Sequence, residues 1–291
     1  MASPYRWVAS GPLVGGLPAT SIGRVTACWD PQQYLRYEHE RERPFAELLA
    51  RVVHPHPREI VDLGCGPGTT TAQLLQRWPD AHVIGIDNSP EMIAHARSQA
   101  VPGRLEFRQA DLREWVPEGP VDVLLSTATL QWVPGHESLF PRFVKSLAAG
   151  GTFAFQVPAN FREPSHILLY ELAQSDRWGA RLGHLVRPDP VLEPGGYLET
   201  LLATGVPADV WETTYFHILH GPDAILEWVR GSALRPFLTA LDTPDVPGSD
   251  VAEFQSAYAA VLRAAYPRDA EGRSVFPFRR IFGVATVPSY P

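Results

Sequence analysis

Apolar residues along this chain come in two rhythms. Short, nearly unbroken runs recur at Ile60-Val61-Asp62-Leu63, Val83-Ile84-Gly85-Ile86, Leu105 to Leu112, Val121 to Ser126 and Thr152 to Val157. Such runs read as strands buried on both faces. Between them lie stretches with helical spacing: Thr69 to Leu75, a segment opened by Asn88 or Ser89 with Pro90 in its first turn, and Leu139 to Leu147 before Gly150-Gly151. Strand and helix alternate, which predicts an α/β fold with a doubly wound, mostly parallel sheet. Beyond it the order changes. Pro164 to Leu172 and Tyr197 to Leu202 read as helices on either side of an irregular Arg/Gly/Pro-rich crossing over 179–195. Val210 to Ile218 alternates as a strand with Tyr215 and His217 on one face. Helices follow from Ile225, Leu234 and Val251, and Phe276 to Ala285 is the last strand. Pro277 puts its beginning at an edge or outside the ladder.

At the other end, Asp30 can cap a helix with Pro31 in its first position, running through Tyr34 and Tyr37 and ending before Pro44; Phe45, Leu48, Leu49 and Val52 space a second helix. Residues 1–27 are rich in Gly, Pro and Ser, lack an unbroken apolar core, and read as a flexible extension rather than a signal peptide. The remaining 28–291 form one domain, with cap segments at about 28–50, 160–195 and 221–272.

The first strand runs into a turn with glycine at every second place, Gly64-Cys65-Gly66-Pro67-Gly68. A dinucleotide fingerprint spaces its glycines G-x-G-x-x-G because a pyrophosphate sits on the helix amides. Here the spacing differs and Asp62 stands two places upstream, a poor neighbour for phosphate and a good one for a cation. S-adenosylmethionine carries a sulfonium and an ammonium and no phosphate, so the turn favours it over NAD. Asp87 ends the second strand about 20 residues on, where such folds place the acid for a ribose diol. Asp111 ends the third, in a position suited to an adenine amino group. Met92 and Leu112, beside these acids, complete the expected cofactor set, together with Trp29 on the N-terminal helix.

Composition narrows the partners. A net charge of −7 argues against a nucleic-acid surface, and no apolar run is long enough to cross a bilayer. Two cysteines, Cys28 and Cys65, make no disulfide framework and point to a reducing, cytoplasmic setting. No metal-ligand pattern stands out. Ligands of open parallel sheets bind beyond the carboxyl ends of the strands, which brings forward Gln131, Trp132, Asn160 and His166.

With these residues in view, the chain resembles the class I S-adenosylmethionine-dependent methyltransferases, and within them the trans-aconitate methyltransferase family. The general likeness rests on Val61-Asp62-Leu63-Gly64-Cys65-Gly66-Pro67-Gly68 with Asp87. The specific likeness rests on Trp29-Asp30-Pro31, Leu130-Gln131-Trp132-Val133-Pro134, Gln156-Val157-Pro158-Ala159-Asn160, Trp211 to Tyr215, Gly231 to Pro236 and Phe276 to Arg280. The resemblance implies a Rossmann-like sheet with a helical cap, and transfer of a methyl group to one carboxylate of trans-aconitate or a related polycarboxylic acid.

A carboxylate is ionised at neutral pH and needs no general base, so catalysis is expected from proximity and orientation alone. A polyanionic acceptor needs cations for its spectator carboxylates. Arg162, Arg230, Arg235, Arg279 and Arg280 are the candidates, with Arg235 and Arg280 set among apolar residues. His166 and Tyr215 are expected as hydrogen-bonding partners. Strand alternation lets only one of Arg279 and Arg280 point inward. A competing reading is methylation of a hydroxyl or phenol with His166 or His217 as base; another is a non-catalytic S-adenosylmethionine-binding module.

Overall fold

The computed structural model describes residues 38–187, 189–242 and 248–289, with side chains from Glu42 onward. Residues 1–27, Cys28, Trp29 and the helix start expected at Asp30 lie outside the described residues.

Seven strands form one sheet in the order β3-β2-β1-β4-β5-β7-β6. They are β1 Glu59–Leu63, β2 His82–Asp87, β3 Leu105–Gln109, β4 Val121–Thr127, β5 Leu147–Pro158, β6 Ala208–His220 and β7 Arg273–Thr286. All neighbours are parallel except β7, which runs antiparallel to both β5 and β6. The chain leaves the centre in one direction through β2 and β3 and in the other through β4 and β5. The carboxyl ends of β1 and β4 therefore flank a switch point, where open α/β sheets bind ligands.

Helices cover both faces. On one, α1 (Glu38–Arg51), α2 (Thr69–Arg77) and α3 (Pro90–Ala96) bury Leu48, Leu74 and Ile93 against Ile60, Val83 and Phe282. On the other, α4 (Phe140–Lys145) and α7 (Pro194–Leu202) bury Phe140, Phe143 and Tyr197 against Leu124, Phe153 and Phe155. Each fully buried Leu, Ile or Phe contributes about 1.5–3 kcal/mol from removal of apolar surface from water. A third cluster joins α5 (Pro164–Gln174), α6 (Gly179–Leu182), α8 (Ala224–Arg230), α9 (Arg235–Leu241) and α10 (Ser249–Ala265) around Leu169, Trp178, Phe254 and Tyr258. It meets the sheet through Leu219 and Phe276, near the ends of β6 and β7.

Four boundaries differ from the sequence reading. Helix α1 runs through Pro44 instead of stopping before it. One backbone hydrogen bond is lost there, and the buried row Phe45, Leu48, Leu49 and Val52 holds the helix on the sheet regardless. Strand β3 ends at Gln109, so Asp111 lies two residues past it, at the head of a turn closed by Trp115 N–H on Asp111 O. Strand β5 begins at Leu147 and passes through Gly150-Gly151 rather than starting after them; Gly150 takes φ 79° and its N–H bonds Val287 O at 3.0 Å. The crossing over 179–195 contains α6 and a 3-10 turn, Gly183–Leu185, before it becomes irregular. As expected of Pro277, the first part of β7 pairs on one side only, with β6, because β5 meets β7 no earlier than Arg280.

Helix α1 is tied to the outer strand through Glu47. Its carboxylate accepts hydrogen bonds from Trp211 Nε1 at 2.9 Å, Thr213 Oγ1 at 2.6 Å and the Tyr215 hydroxyl. Burial works to raise its pKa; those three bonds, helped by the charge of Arg51, outweigh it and hold the carboxyl below its ordinary value of 4.5. A depressed carboxylate stabilises the fold above its unfolded pKa, and that contribution is lost as pH falls through the folded value. In urea titrations, Glu47→Gln is expected to lose about 1–3 kcal/mol at pH 7. The gap between variant and wild type closes as pH falls below 4.5, and a gap constant from pH 7 to pH 3 would contradict this role.

Candidate active site

The glycine turn after β1 is where the sheet opens. Gly64, Gly66 and Gly68 all have positive φ, at 80°, 54° and 85°. Their roles divide. A Cβ on Gly64 would lie 2.1 Å from the Thr129 side chain and one on Gly68 would lie 2.8 Å from the Phe107 ring, so these two are glycine because protein packs against them. A Cβ on Gly66 would meet nothing within 4 Å, so this is the glycine that leaves backbone open to an incoming ligand.

Asp62 lies beneath the turn and is fully buried. Its Oδ2 accepts from Thr71 Oγ1 at 2.6 Å, while Oδ1 has no hydrogen-bond partner among the described residues. Burial pushes its pKa up to about 6, partly offset by Thr71 and reinforced by the charge of Asp87. Asp87 accepts Gly66 N–H at 3.0 Å and Ser89 N–H at 2.9 Å, and burial raises its pKa as well. Cys65 between them is buried, and its thiol is pushed upward by burial and by both carboxylates. An orphaned acceptor and two crowded acids fit a ligand bearing positive charge and hydroxyl donors, as S-adenosylmethionine does.

Ser89 caps α3 by accepting Met92 N–H at 3.2 Å, and the Met92 side chain is buried. Asp111 is engaged by Arg113, whose Nε lies 3.0 Å from both carboxylate oxygens. Leu112 is buried in the core of the second face. Arg142, which sequence reasoning missed, holds this turn in place through Leu112 O at 2.7 Å and Arg113 O at 2.6 Å.

Beyond β4 the chain makes a strained bend. Ala128 takes φ 54°, which costs a non-glycine residue roughly 1–2 kcal/mol. It is held from both sides: its N–H bonds Gln156 O at 2.9 Å, and its carbonyl accepts Gln131 Nε2 at 2.6 Å. Thr129 Oγ1 reaches Gly64 O at 3.0 Å and ties the bend to the glycine turn. A 3-10 turn, Leu130–Trp132, follows at the rim.

The polar residues expected to grip an acceptor turn out to be engaged by the protein itself. Gln131 gives its amide to Ala128 and leaves Oε1 unpaired and buried; Asn160 gives its amide to Pro277 O at 3.0 Å and leaves Oδ1 in the same state. Tyr215 gives its only proton to Glu47. The buried free oxygens are the wrong polarity for an anion, which leaves one N–H of each amide to donate. His166 is buried against Phe161 and Tyr170, with Nδ1 3.2 Å from Ser165 Oγ, and burial lowers its pKa to about 4. His217, stacked on Trp228 at 4.6 Å, is lowered to about 4 by burial and by the charges of Arg280 and Arg43. Both are neutral at pH 7 and too weakly basic to serve well as general bases.

The arginines sort clearly. Arg279 points outward to Glu193 and Glu212, at 2.6 and 2.5 Å. Arg280 points inward and is buried, donating to Gln156 Oε1 at 2.8 Å with its guanidinium 4.8 Å from the Phe278 ring. Arg162 pairs with Asp189 on the surface, and Arg230 with Glu227 one helical turn away. Arg235 opens α9, half-buried, with Nε unpartnered among the described residues. Arg43 on α1, 5.0 Å over the Tyr215 ring, was not foreseen, and neither was Arg187 at the carbonyl of Gln131. Among the described residues no group of His, Cys, Asp and Glu is arranged to hold a metal, and no helix is long and apolar enough to cross a membrane.

A family described as "Methyltransferase domain" matches residues 60–151, from β1 into β5. The chain is 53% identical over 279 residues to the trans-aconitate 2-methyltransferase of Streptomyces coelicolor, across 94% of this chain and 89% of that protein. It is 52% identical over 264 residues to the protein of the same name from Streptomyces avermitilis, across 88% and 96%. Among solved structures, phosphoethanolamine N-methyltransferase 2 of Haemonchus contortus, in complex with S-adenosyl-L-methionine, is similar with a TM-score of 0.51 and 16% identity, over 84% of this chain and 52% of that one. That likeness is one of fold, the Rossmann-like sheet of class I methyltransferases.

The state of Asp62 gives a test. An acid whose folded pKa is raised costs stability as pH climbs from its unfolded value, 3.8, past about 6. Asp62→Asn is therefore expected to unfold at higher urea than wild type at pH 8, and at similar urea at pH 4. Calorimetry at pH 8 should show S-adenosylmethionine affinity reduced roughly 10-fold or more in the variant. An unchanged affinity would remove Asp62 from the cofactor site.

Proposed function

The chain belongs to the trans-aconitate 2-methyltransferase family, and from that premise we propose that it binds S-adenosylmethionine and methylates one carboxylate of trans-aconitate. The observation that carries this reading is the reach of the likeness. At 94% coverage it takes in the helices of the third cluster as well as the sheet. In this reading those helices cap the rim, while α1 covers a face of the sheet.

S-adenosylmethionine supplies a methyl group already activated on a sulfonium. Asp62, the open backbone at Gly66 and the carboxylate of Asp87 would hold it, with Met92, Asp111 and Leu112 along its adenosine. The acceptor carboxylate, with pKa near ~4, arrives ionised and gives no proton to a base. Two histidines with pKa values of about 4 agree with a site that asks for none. The side chains then have to position one carboxylate, neutralise the others and keep water out.

Trans-aconitate brings three carboxylates, two of which do not react. Arg280 is the buried cation for one of them, with the neutral imidazole of His217 beside it as a second donor. Asn160, Gln131, Trp132, His166 and the ring of Tyr215 shape the cavity, and Arg235 lies on the helical side of it. The setting is cytoplasmic, with a soluble metabolite as partner.

Transfer of labelled methyl to trans-aconitate is expected to exceed that to cis-aconitate, isocitrate, citrate and a phenolic acid. With saturating cofactor, kcat should stay flat from pH 7 to pH 9, since neither an acceptor carboxylate nor a histidine titrates there. Arg280→Gln should raise KM for trans-aconitate roughly 10- to 100-fold. Cofactor binding without polycarboxylate turnover would sink the assignment.

A further inference from the structure

Arg187 is a half-buried cation that no carboxylate among the described residues answers. It lies just past the 3-10 turn Gly183–Leu185, in the crossing between α6 and α7. Its Nη2 donates to Gln131 O at 2.5 Å, and its guanidinium lies 5.6 Å from the Trp132 ring. Among the described residues no Asp or Glu oxygen comes within 4.0 Å of it, whereas several other arginines are paired. Arg162 takes Asp189, Arg279 takes Glu193 and Glu212, and Arg177 and Arg181 share Asp250. The groups facing Arg187 are His136, Tyr170 and, farther off, Asp189, which acts on Tyr170. Burial lowers its pKa, and Tyr170 acts the other way. A guanidinium moved from water without a counter-charge costs free energy that a structure seldom bears for packing alone.

Its place in the fold says what the charge faces. Gln131 and Trp132 form the turn at the carboxyl end of β4, and Thr129 ties that turn to Gly64 of the glycine loop. Arg187 thus stands on the β4 side of the switch point, whereas Arg280 stands in mid-β7 opposite Pro158, the carboxyl end of β5. One of its five N–H groups is committed to Gln131 O, and the rest of the planar fork suits a carboxylate.

We propose that Arg187 binds the second spectator carboxylate of the acceptor and so sets the preference for a tricarboxylate over a dicarboxylate. This rests on the polycarboxylate reading above. The competing structural role is to prop the Gln131 carbonyl, and Arg187→Gln separates the two because an amide can still donate to that carbonyl while the charge is gone.

The experiment starts with wild-type KM and kcat for trans-aconitate and for an unsaturated dicarboxylate. Arg187→Gln and Arg187→Lys are then measured on both acceptors. Trans-aconitate binding is followed in parallel by calorimetry with S-adenosylhomocysteine present. The expected result is a KM and Kd for trans-aconitate raised roughly 10- to 100-fold by Gln, with kcat changed less. Lys should recover part of the loss, the tricarboxylate preference should shrink in Gln, and S-adenosylmethionine affinity should stay within about twofold in both. Unchanged trans-aconitate binding in Arg187→Gln, with wild type active, overturns the inference and leaves the family reaction standing. Loss of cofactor binding in both variants makes Arg187 a prop and also overturns it. No polycarboxylate turnover by wild type overturns both, and is seen before any variant is made.

Discussion

A carboxylate buried at the centre of the sheet, with one oxygen unanswered among the described residues, is the constraint on which the site depends. Asp62 is there because β1 ends at the switch point, and it can remain there because Thr71, from the first turn of α2, holds its other oxygen. Asp87 ends the adjacent strand and adds its own charge to the same small volume. Both acids are pushed toward protonation, and both would be relieved by a cation. The glycine turn completes the arrangement by bringing backbone close without side chains at the one place, Gly66, that protein does not fill.

Around that acidic centre the cations stand at the other side of the rim. Arg280 is delivered by β7, the single antiparallel strand, and Arg187 by the crossing between two helices. Opposite charges kept apart along the carboxyl edge of the sheet would suit a cationic donor meeting an anionic acceptor, each drawn to its own end. Gln131 and Asn160 each give one N–H to a backbone carbonyl, and Tyr215 gives its proton to Glu47. In the proposed reading, recognition of charge falls mainly to arginine.

The sheet was readable because its signals are local. Ile60 to Leu63 and Val83 to Ile86 are apolar runs cut by an acid, and nothing but a buried parallel strand suits them. The turn glycines were readable for the same reason, although their division into two packed and one open was not, since Thr129 and Phe107 come from distant parts of the chain. Strand alternation separated Arg279 from Arg280 without saying which faced inward. Arg187 went unseen because its stretch has no periodicity, and its meaning comes from a carbonyl more than fifty residues away. The polarity of Gln131 and Asn160 was equally hidden. An amide offers a donor and an acceptor, and only the folded backbone decides which of the two is used up.

The long ladder between β6 and β7 bears on how such a chain becomes folded and how it diverges. Its strands pair from Ala208↔Ala285 to His220↔Arg273, and the whole of α8, α9 and α10 is strung between the paired ends. Closing that ladder means first gathering a large loop, an entropic cost that local helix contacts within the insert reduce by compacting it early. The insert packs against α5 and α6 and meets the sheet at Leu219 and Phe276, away from the acids that end β1 and β2. In the proposed reading, sequence change within the insert would alter what the acceptor side takes while Asp62 and Asp87 stay as they are.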